Sequence, residues 1–120
     1  MGHSGPVTCV ALGGPADPTI CSGSADGVVK VWDLRATGKG ARLELTGHGG
    51  RITTLQRDFT KVISGSEDGT LRVWNMYTGV CGQVLAGHRS GITGVGFHDP
   101  NLLSVSWDGT VRVWDVNVDS

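Results

Sequence analysis

The 120-residue chain is poor in cysteine, in charge and in long apolar segments. Cys9, Cys21 and Cys81 are odd in number and form no Cys-x-x-Cys pair, which argues against a disulfide framework and against a thiolate metal site. We predict that they are small apolar side chains in a reducing compartment. No apolar run approaches the roughly 18 residues that a membrane helix requires, so no membrane partner is expected.

Charged residues make up only 18% of the chain, and 10 basic against 11 acidic residues leave a formal net charge of −1. This balance gives no electrostatic reason to expect nucleic acid or an acidic membrane surface as a partner. Residues Met1 to Pro6 have neither the basic start nor the apolar stretch of a secretory signal peptide. Together these absences predict a cytoplasmic or nuclear protein.

Glycine, by contrast, is abundant, with 20 residues, and much of it recurs at fixed places in a threefold repeat. Each copy contains a His, a Ser, an Asp and a Trp, with four residues from Ser to Asp and six from Asp to Trp. The Trp residues lie 42 and then 40 positions apart, which is the period of β-propeller blades. The three sets, which we call tetrads, are His3, Ser22, Asp26 and Trp32; His48, Ser64, Asp68 and Trp74; and His88, Ser104, Asp108 and Trp114.

The residues between these positions follow a β pattern in every copy. Apolar strands follow the Gly-His pair and precede the tetrad Ser, and an Asp-Gly pair comes after that Ser. Asp-Gly between two β-prone runs favours a hairpin, because glycine accepts the positive φ that such turns need. A third strand is predicted from the residue after this glycine to the tetrad Trp, with clean alternation at Val29, Lys30 and Val31. We therefore predict an all-β chain.

A fourth strand is predicted in the first two copies only. It follows a Thr-Gly turn, near Ala41 to Leu45 and near Gly82 to Leu85, whereas the third copy has no such continuation. The expected architecture is three consecutive sheets of 4, 4 and 3 antiparallel strands. The predicted repeats, together one partial propeller domain, are residues 1–46, 47–86 and 87–120.

These repeats resemble the WD-repeat family of β-propellers across essentially the whole chain. The resemblance rests on the Gly-His openings and on the closing pairs Trp32-Asp33, Trp74-Asn75 and Trp114-Asp115, in which Asn75 is a minor departure. It implies a hydrogen-bonded chain in each blade, from Trp to Ser to His to Asp. It also implies a rigid scaffold that binds other proteins on the face with the Gly-His loops and Asp-Gly turns. A narrower similarity to F-box/WD-repeat proteins implies an alternative role in substrate recognition for a ubiquitin ligase, although these residues include no F-box.

Two kinds of position near these turns vary between the copies and are candidates for partner binding. The residue before the tetrad Asp is Ala25, Glu67 or Trp107, and two interpretations of the large aromatic stay open: it anchors a partner, or it shields the turn and packs on its neighbour. Arg51 and Arg89 follow the tetrad His and suit an acidic or phosphorylated peptide, or are plain surface charges. The partner-binding prediction comprises Arg51, Glu67, Arg89 and Trp107.

A Ser, a His and an Asp in each copy also invite comparison with a hydrolytic triad. That set recurs once per blade, the Trp would engage the hydroxyl, and no Gly-x-Ser-x-Gly elbow leads into a helix. His3, His48 and His88 belong to separate blades, and His98 is predicted in a turn, so no metal site is expected. We predict no catalytic residues, no metal and no cofactor.

Three blades are fewer than the four to eight of closed propellers, so the arc is incomplete unless something completes it. Three explanations stay open: the chain is part of a longer propeller, copies of it close a ring, or it is a truncated segment with no independent role. In the three-blade arc alone both outer apolar strand faces would be uncovered, so the isolated chain is not expected to be a stable monomer.

Overall fold

The computed structural model describes residues 5–12, 19–33, 43–57, 61–76, 78–98 and 101–115. These residues contain eleven β-strands and no helix, and therefore no helix that could cross a membrane. The strands are β1 (Val7–Leu12), β2 (Thr19–Ser24), β3 (Val29–Asp33), β4 (Leu43–Leu45), β5 (Ile52–Arg57), β6 (Lys61–Ser66), β7 (Leu71–Asn75), β8 (Cys81–Leu85), β9 (Ile92–His98), β10 (Asn101–Ser106) and β11 (Val111–Asp115).

The strands form three antiparallel sheets in which each strand pairs with its neighbour along the chain. We call them blade 1 (β1–β4), blade 2 (β5–β8) and blade 3 (β9–β11). This confirms the predicted all-β class and the division into 4, 4 and 3 strands within the described residues. His98, predicted in a turn, is instead the last residue of β9, because it pairs with Asn101 and extends the ladder. The repeat boundaries at residues 46 and 86 stay predictions.

The Asp-Gly pairs form the predicted turns between the second and third strands of each blade. Gly27, Gly69 and Gly109 have φ of 82°, 86° and 84°, a conformation that side chains disfavour. The third strands begin one residue later than predicted. The reason is that the amide after each glycine, such as that of Val28, donates to the tetrad Asp at 3.0 Å and so belongs to the turn.

A bulge in the first strand of blades 1 and 2 connects neighbouring blades. Thr8 lies in the bulge of β1, and its hydroxyl donates to the carbonyl of Gly23 at 3.1 Å and to that of Ile52, in blade 2, at 2.5 Å. Thr53 repeats this arrangement in blade 2, with the carbonyls of Gly65 at 3.1 Å and of Ile92, in blade 3, at 2.5 Å. The first strands of blades 1 and 2 are therefore each hydrogen-bonded to the start of the next blade.

The apolar core lies between blades and not within one sheet. One buried cluster joins Val29 and Val31 of blade 1 to Ile52 and Trp74 of blade 2. A second cluster joins Leu71 of blade 2 to residues of blade 3 such as Ile92 and Leu102. This arrangement is that of a repeat array, in which each unit buries its surface against its neighbours.

Candidate functional site

The tetrad of blade 2 forms one continuous hydrogen-bond chain. The indole Nε1–H of Trp74 donates to Ser64 Oγ at 2.8 Å, and Ser64 Oγ lies 2.6 Å from His48 Nε2. On the other side of the ring, His48 Nδ1 lies 3.3 Å from Asp68 Oδ2. Every group is satisfied when a neutral His48 carries its proton on Nδ1, donates it to Asp68 and accepts the Ser64 proton at Nε2.

The tetrad of blade 3 has the same contacts among Trp, Ser and His as that of blade 2, but its His and Asp are connected differently. Ser104 Oγ accepts the Trp114 indole proton at 2.9 Å and lies 2.7 Å from His88 Nε2. His88 Nδ1, however, lies 2.8 Å from the Thr110 hydroxyl and 3.8 Å from the nearer Asp108 oxygen. Thr110 in turn donates to Asp108, so this chain has five members.

The described part of the blade 1 tetrad has the same Trp-to-Ser contact. Trp32 Nε1 donates to Ser22 Oγ at 2.8 Å, while Asp26 accepts a hydrogen bond from the hydroxyl of Ser24. His3 lies outside the described residues, so its predicted place in this tetrad stays a prediction.

The tetrad carboxylates join the loop after the His to the Asp-Gly turn. Asp68 accepts the amide of Gly49 at 2.8 Å and the hydroxyl of Thr70 at 2.6 Å, and Asp108 accepts the amide of Arg89 at 2.8 Å. Burial of Asp68 opposes its ionisation, but the hydrogen bonds, led by that from Thr70, outweigh burial and lower its pKa to about 2. The hydroxyl of Thr110, followed by the Arg89 amide, likewise lowers the pKa of Asp108.

Burial governs the protonation of His48. Loss of hydration disfavours the imidazolium and lowers the pKa of His48 below its ordinary value, although the neighbouring Asp68 acts in the opposite direction. The ring is therefore neutral at physiological pH, as the hydrogen-bond chain requires.

The sequence interpretation missed two further groups of these networks. One is a second buried serine two residues before each tetrad Asp; in blades 2 and 3 its hydroxyl accepts the amide of that Asp at 3.2 Å. The other is the threonine after the Asp-Gly pair, which is present in blades 2 and 3, whereas blade 1 has Val28. Both groups could have been found in the sequence, because the serines recur two residues before the tetrad Asp and the threonines two residues after it. The serines are Ser24, Ser66 and Ser106, and the threonines are Thr70 and Thr110.

Backbone conformation favours glycine before the tetrad His, and an arginine guanidinium lies against the same position. Gly47 has φ of 146°, and a Cβ added there would lie 2.9 Å from Nη1 of Arg72. The guanidinium of Arg72 also lies over the Trp74 ring, 5.9 Å from its centroid. In blade 3 the Arg112 guanidinium donates to the Gly87 carbonyl at 2.9 Å. The Gly-His pair therefore leaves space for a cation that rests against the start of the loop.

The four predicted partner-binding residues are exposed along one edge, which we call the turn edge: the loops after the tetrad His and the turns that contain the tetrad Asp. The amide of Glu67 donates to the Arg51 carbonyl at 2.9 Å, and that of Trp107 to the Gly91 carbonyl at 3.0 Å. Blades 2 and 3 meet here, since a Cβ added to Gly91 would lie 3.1 Å from Glu67 Cα. Trp107 is 76% exposed.

The remaining titratable groups form no second constellation in the described ranges. No three His, Cys, Asp or Glu side chains there lie close enough together to hold a metal ion. The three cysteines are free thiols; Cys21 is buried, and burial raises the pKa of Cys9.

Consecutive antiparallel blades define a propeller-type repeat protein, and blades 2 and 3 each contain a network that runs from Trp through Ser and His towards Asp. The profile of the WD40 family (WD domain, G-beta repeat) matches residues 1–33, 41–75 and 79–115. The chain belongs to this family.

Two individual proteins are similar to the chain. It is 46% identical over 55 residues, 45% of its length, to the small ribosomal subunit protein RACK1y of Oryza sativa subsp. japonica. Over 99% of its length it is similar to the crystal structure of the computationally designed Ika8 protein, with a TM-score of 0.86 and 37% identity. The chain covers 16% of the rice protein and 36% of the designed one.

Proposed function

We propose that the chain is a non-catalytic interaction scaffold that binds a partner protein or peptide along its turn edge. The observation that carries this proposal is the 76% exposure of Trp107 beside a rigid turn. The same position is occupied by Ala25 and Glu67 in the other blades, so the turn itself does not need an aromatic residue. Exposed aromatic side chains on rigid backbone are typical anchors of protein interfaces.

The charges near Trp107 indicate the chemistry of the partner. Arg89 is exposed, and its amide is held by Asp108, the residue next to Trp107. Arg51 lies further along the same edge, where its carbonyl accepts the amide of Glu67. Two exposed arginines, in the loops after the tetrad His of blades 2 and 3, suit an acidic or phosphorylated peptide, whose anionic groups accept paired hydrogen bonds from guanidinium.

The geometry of the tetrads supports a non-catalytic role. Ser64 and Ser104 are fully buried, and each accepts an indole proton and contacts an imidazole nitrogen. A hydroxyl in this position has no access to a substrate carbonyl, which a serine nucleophile requires. The tetrads are therefore assigned to holding the turn edge rigid.

The relatives support a scaffold and a location. Similarity to a small ribosomal subunit protein favours a cytoplasmic protein that works within an assembly. A nuclear location and a role in ubiquitin-ligase substrate recognition stay predictions from the sequence alone. Further blades, from the same polypeptide or from another chain, would complete the ring.

A peptide array tests the proposal. The fluorescently labelled chain is applied to immobilised acidic and phosphoserine peptides, with their neutral counterparts on the same array. We expect selective binding to the anionic peptides and a loss of about tenfold or more in affinity for a Trp107→Ala/Arg89→Ala variant. Val80→Ala, which removes an exposed apolar side chain away from the turn edge, is the control and should bind normally. Equal binding by the double variant, or no preference for anionic peptides, would contradict the proposal.

A further inference from the structure

Neighbouring blades fit together through a glycine on one blade and an isoleucine on the next. Gly23 of blade 1 faces Ile52 of blade 2, and a Cβ added to Gly23 would lie 2.5 Å from Ile52 Cγ2 and 2.9 Å from Ile52 Cβ. Gly65 and Ile92 repeat this contact between blades 2 and 3, at 2.7 and 3.1 Å. Carbon atoms do not approach so closely, so both junctions require a residue without Cβ.

Blade 3 breaks this rule at the corresponding position. Val105 stands where blades 1 and 2 have Gly23 and Gly65. The residue opposite it on the first strand is Gly94, where blades 1 and 2 have Cys9 and Thr54. The glycine of this strand pair therefore lies on the second strand in blades 1 and 2 and on the first strand in blade 3.

We call the face of blade 3 that carries Val105 the C-face. Apart from Val105, it has apolar residues at the positions that contact the next blade in blade 2. Leu103, Val111 and Val113 are 41%, 59% and 69% exposed. Their blade 2 counterparts are 0%, 0% and 6% exposed, because blade 3 covers them. The counterparts are Ile63, Leu71 and Val73.

Two polar features of the internal junctions recur at the C-face, but there they lack the contact to a following blade. The Thr93 hydroxyl donates to the Val105 carbonyl at 3.1 Å, as Thr53 does to Gly65, and Thr53 additionally donates to the next blade. A Cβ on Gly109 would have no atom within 4 Å, whereas one on Gly69 would lie 3.2 Å from a carbonyl of the next blade's loop. The C-face therefore has apolar residues, a threonine contact and an Asp-Gly turn at the same positions as the faces that form the two junctions between blades.

We propose that the C-face docks a further WD-type blade whose first strand begins with glycine in place of the isoleucine used inside the array. In the internal geometry an isoleucine or valine there would place its Cβ about 3 Å from that of Val105, which is too close for packing. A glycine removes that collision and leaves its carbonyl for Thr93.

A consequence is that the two ends of this chain do not fit each other. Blade 1 begins with Val7, the counterpart of Ile52 and Ile92, and Val7 is 55% exposed. A second copy docked head to tail in the internal geometry would bring Val7 against Val105. The occupant of the C-face is therefore a blade of different sequence, and self-association to a six-blade ring is blocked at this contact.

The test measures self-association of the full chain by sedimentation velocity, with positions 7 and 105 varied together. With Val105 retained, Val7→Gly should give a discrete two-chain species, whereas the wild type and Val7→Ile should not. With Val105→Gly, the preference reverses, and valine or isoleucine at position 7 should associate at least about tenfold more tightly than glycine. Val113→Gly removes the same atoms from an exposed C-face position and should produce no discrete species.

This reversal distinguishes steric fit between positions 7 and 105 from a general change in surface hydrophobicity or folding. A larger side chain at position 7 should weaken association when position 105 is valine and strengthen it when position 105 is glycine. Circular dichroism of each variant checks that the β-structure is retained. Equal association of Val7→Ile and Val7→Gly in the Val105 background would overturn the proposal. A stable two-chain species formed by the wild type, with Val7 protected from hydrogen exchange by the C-face, would overturn it as well.

Discussion

His88 Nδ1 lies 2.8 Å from the hydroxyl of Thr110, and this contact replaces the imidazole-to-carboxylate contact found in blade 2. There, His48 Nδ1 lies 3.3 Å from Asp68 and 3.4 Å from Thr70. The same five residue types therefore form two different networks. In blade 3 the threonine is an obligatory link between the histidine and the carboxylate, whereas in blade 2 it lies beside them.

Thr110→Val should therefore destabilise the protein more than Thr70→Val. The valine at position 110 leaves His88 Nδ1 without its near partner, at a cost of about 1–2 kcal/mol. Thr70→Val removes a donor to Asp68 but leaves His48 its contact with the carboxylate, so a cost of about half that is expected. Urea unfolding of the two variants measures the difference, and equal losses would show that the threonines act alike.

Ser64→Ala should lower the free energy of unfolding by about 2–4 kcal/mol, because it leaves both Trp74 Nε1 and His48 Nε2 without a partner in a buried site. The exposed Thr46 provides the control, since Thr46→Ala also removes a hydroxyl but should change stability by less than about 0.5 kcal/mol. Ester hydrolysis is measured on the same samples. Activity in the wild type that disappears in Ser64→Ala would refute the structural assignment of the tetrad.

Acidification should destabilise the fold in two steps. The fold favours neutral His48, so its contribution is complete above the ordinary value of 6.5 and is lost as the pH falls below it. The pKa of Asp68 is lowered from 3.8 to about 2, so its contribution is present above 3.8 and is lost between these values. Thermal midpoints across this range test both steps. Because the pKa of Asp108 is also lowered, Asp68→Asn should reduce the lower step without abolishing it. A step of unchanged size in that variant would show that Asp68 does not contribute to it.

The strand count and the turns could be predicted because they depend on local chemistry. Asp26-Gly27 and its two counterparts specify a turn by backbone conformation alone, and the alternation at Val29 and Val31 specifies which side is buried. The blade order then follows from the period of the repeat. The Ser, Asp and Trp positions of the tetrads could also be predicted, because their spacing is the same in every copy.

The contacts made by the threonines and by Val105 could not be predicted in this way. Thr70 and Thr110 occupy identical places in the sequence, and only the positions of the side chains separate 3.4 Å from 2.8 Å in their contacts with the imidazoles. The substitution of Val105 for glycine is visible in the sequence. Its effect depends on which residue of the next blade faces it. In blade 2 that residue is distant along the chain, since Gly65 contacts Ile92.

The contact between an Asp-Gly turn and the next blade's loop can be measured with two matched substitutions. Gly69 and Gly109 have nearly equal φ, 86° and 84°, so alanine causes similar backbone strain, about 1–2 kcal/mol, at both. At position 69 the new Cβ would also lie 3.3 Å from the His88 carbonyl, whereas position 109 is open. Gly69→Ala should therefore cost about 1 kcal/mol more than Gly109→Ala in urea unfolding. Equal losses of stability would mean that the loop after His88 moves away from the new Cβ without an energetic cost, and that the turn does not fix the spacing between the blades.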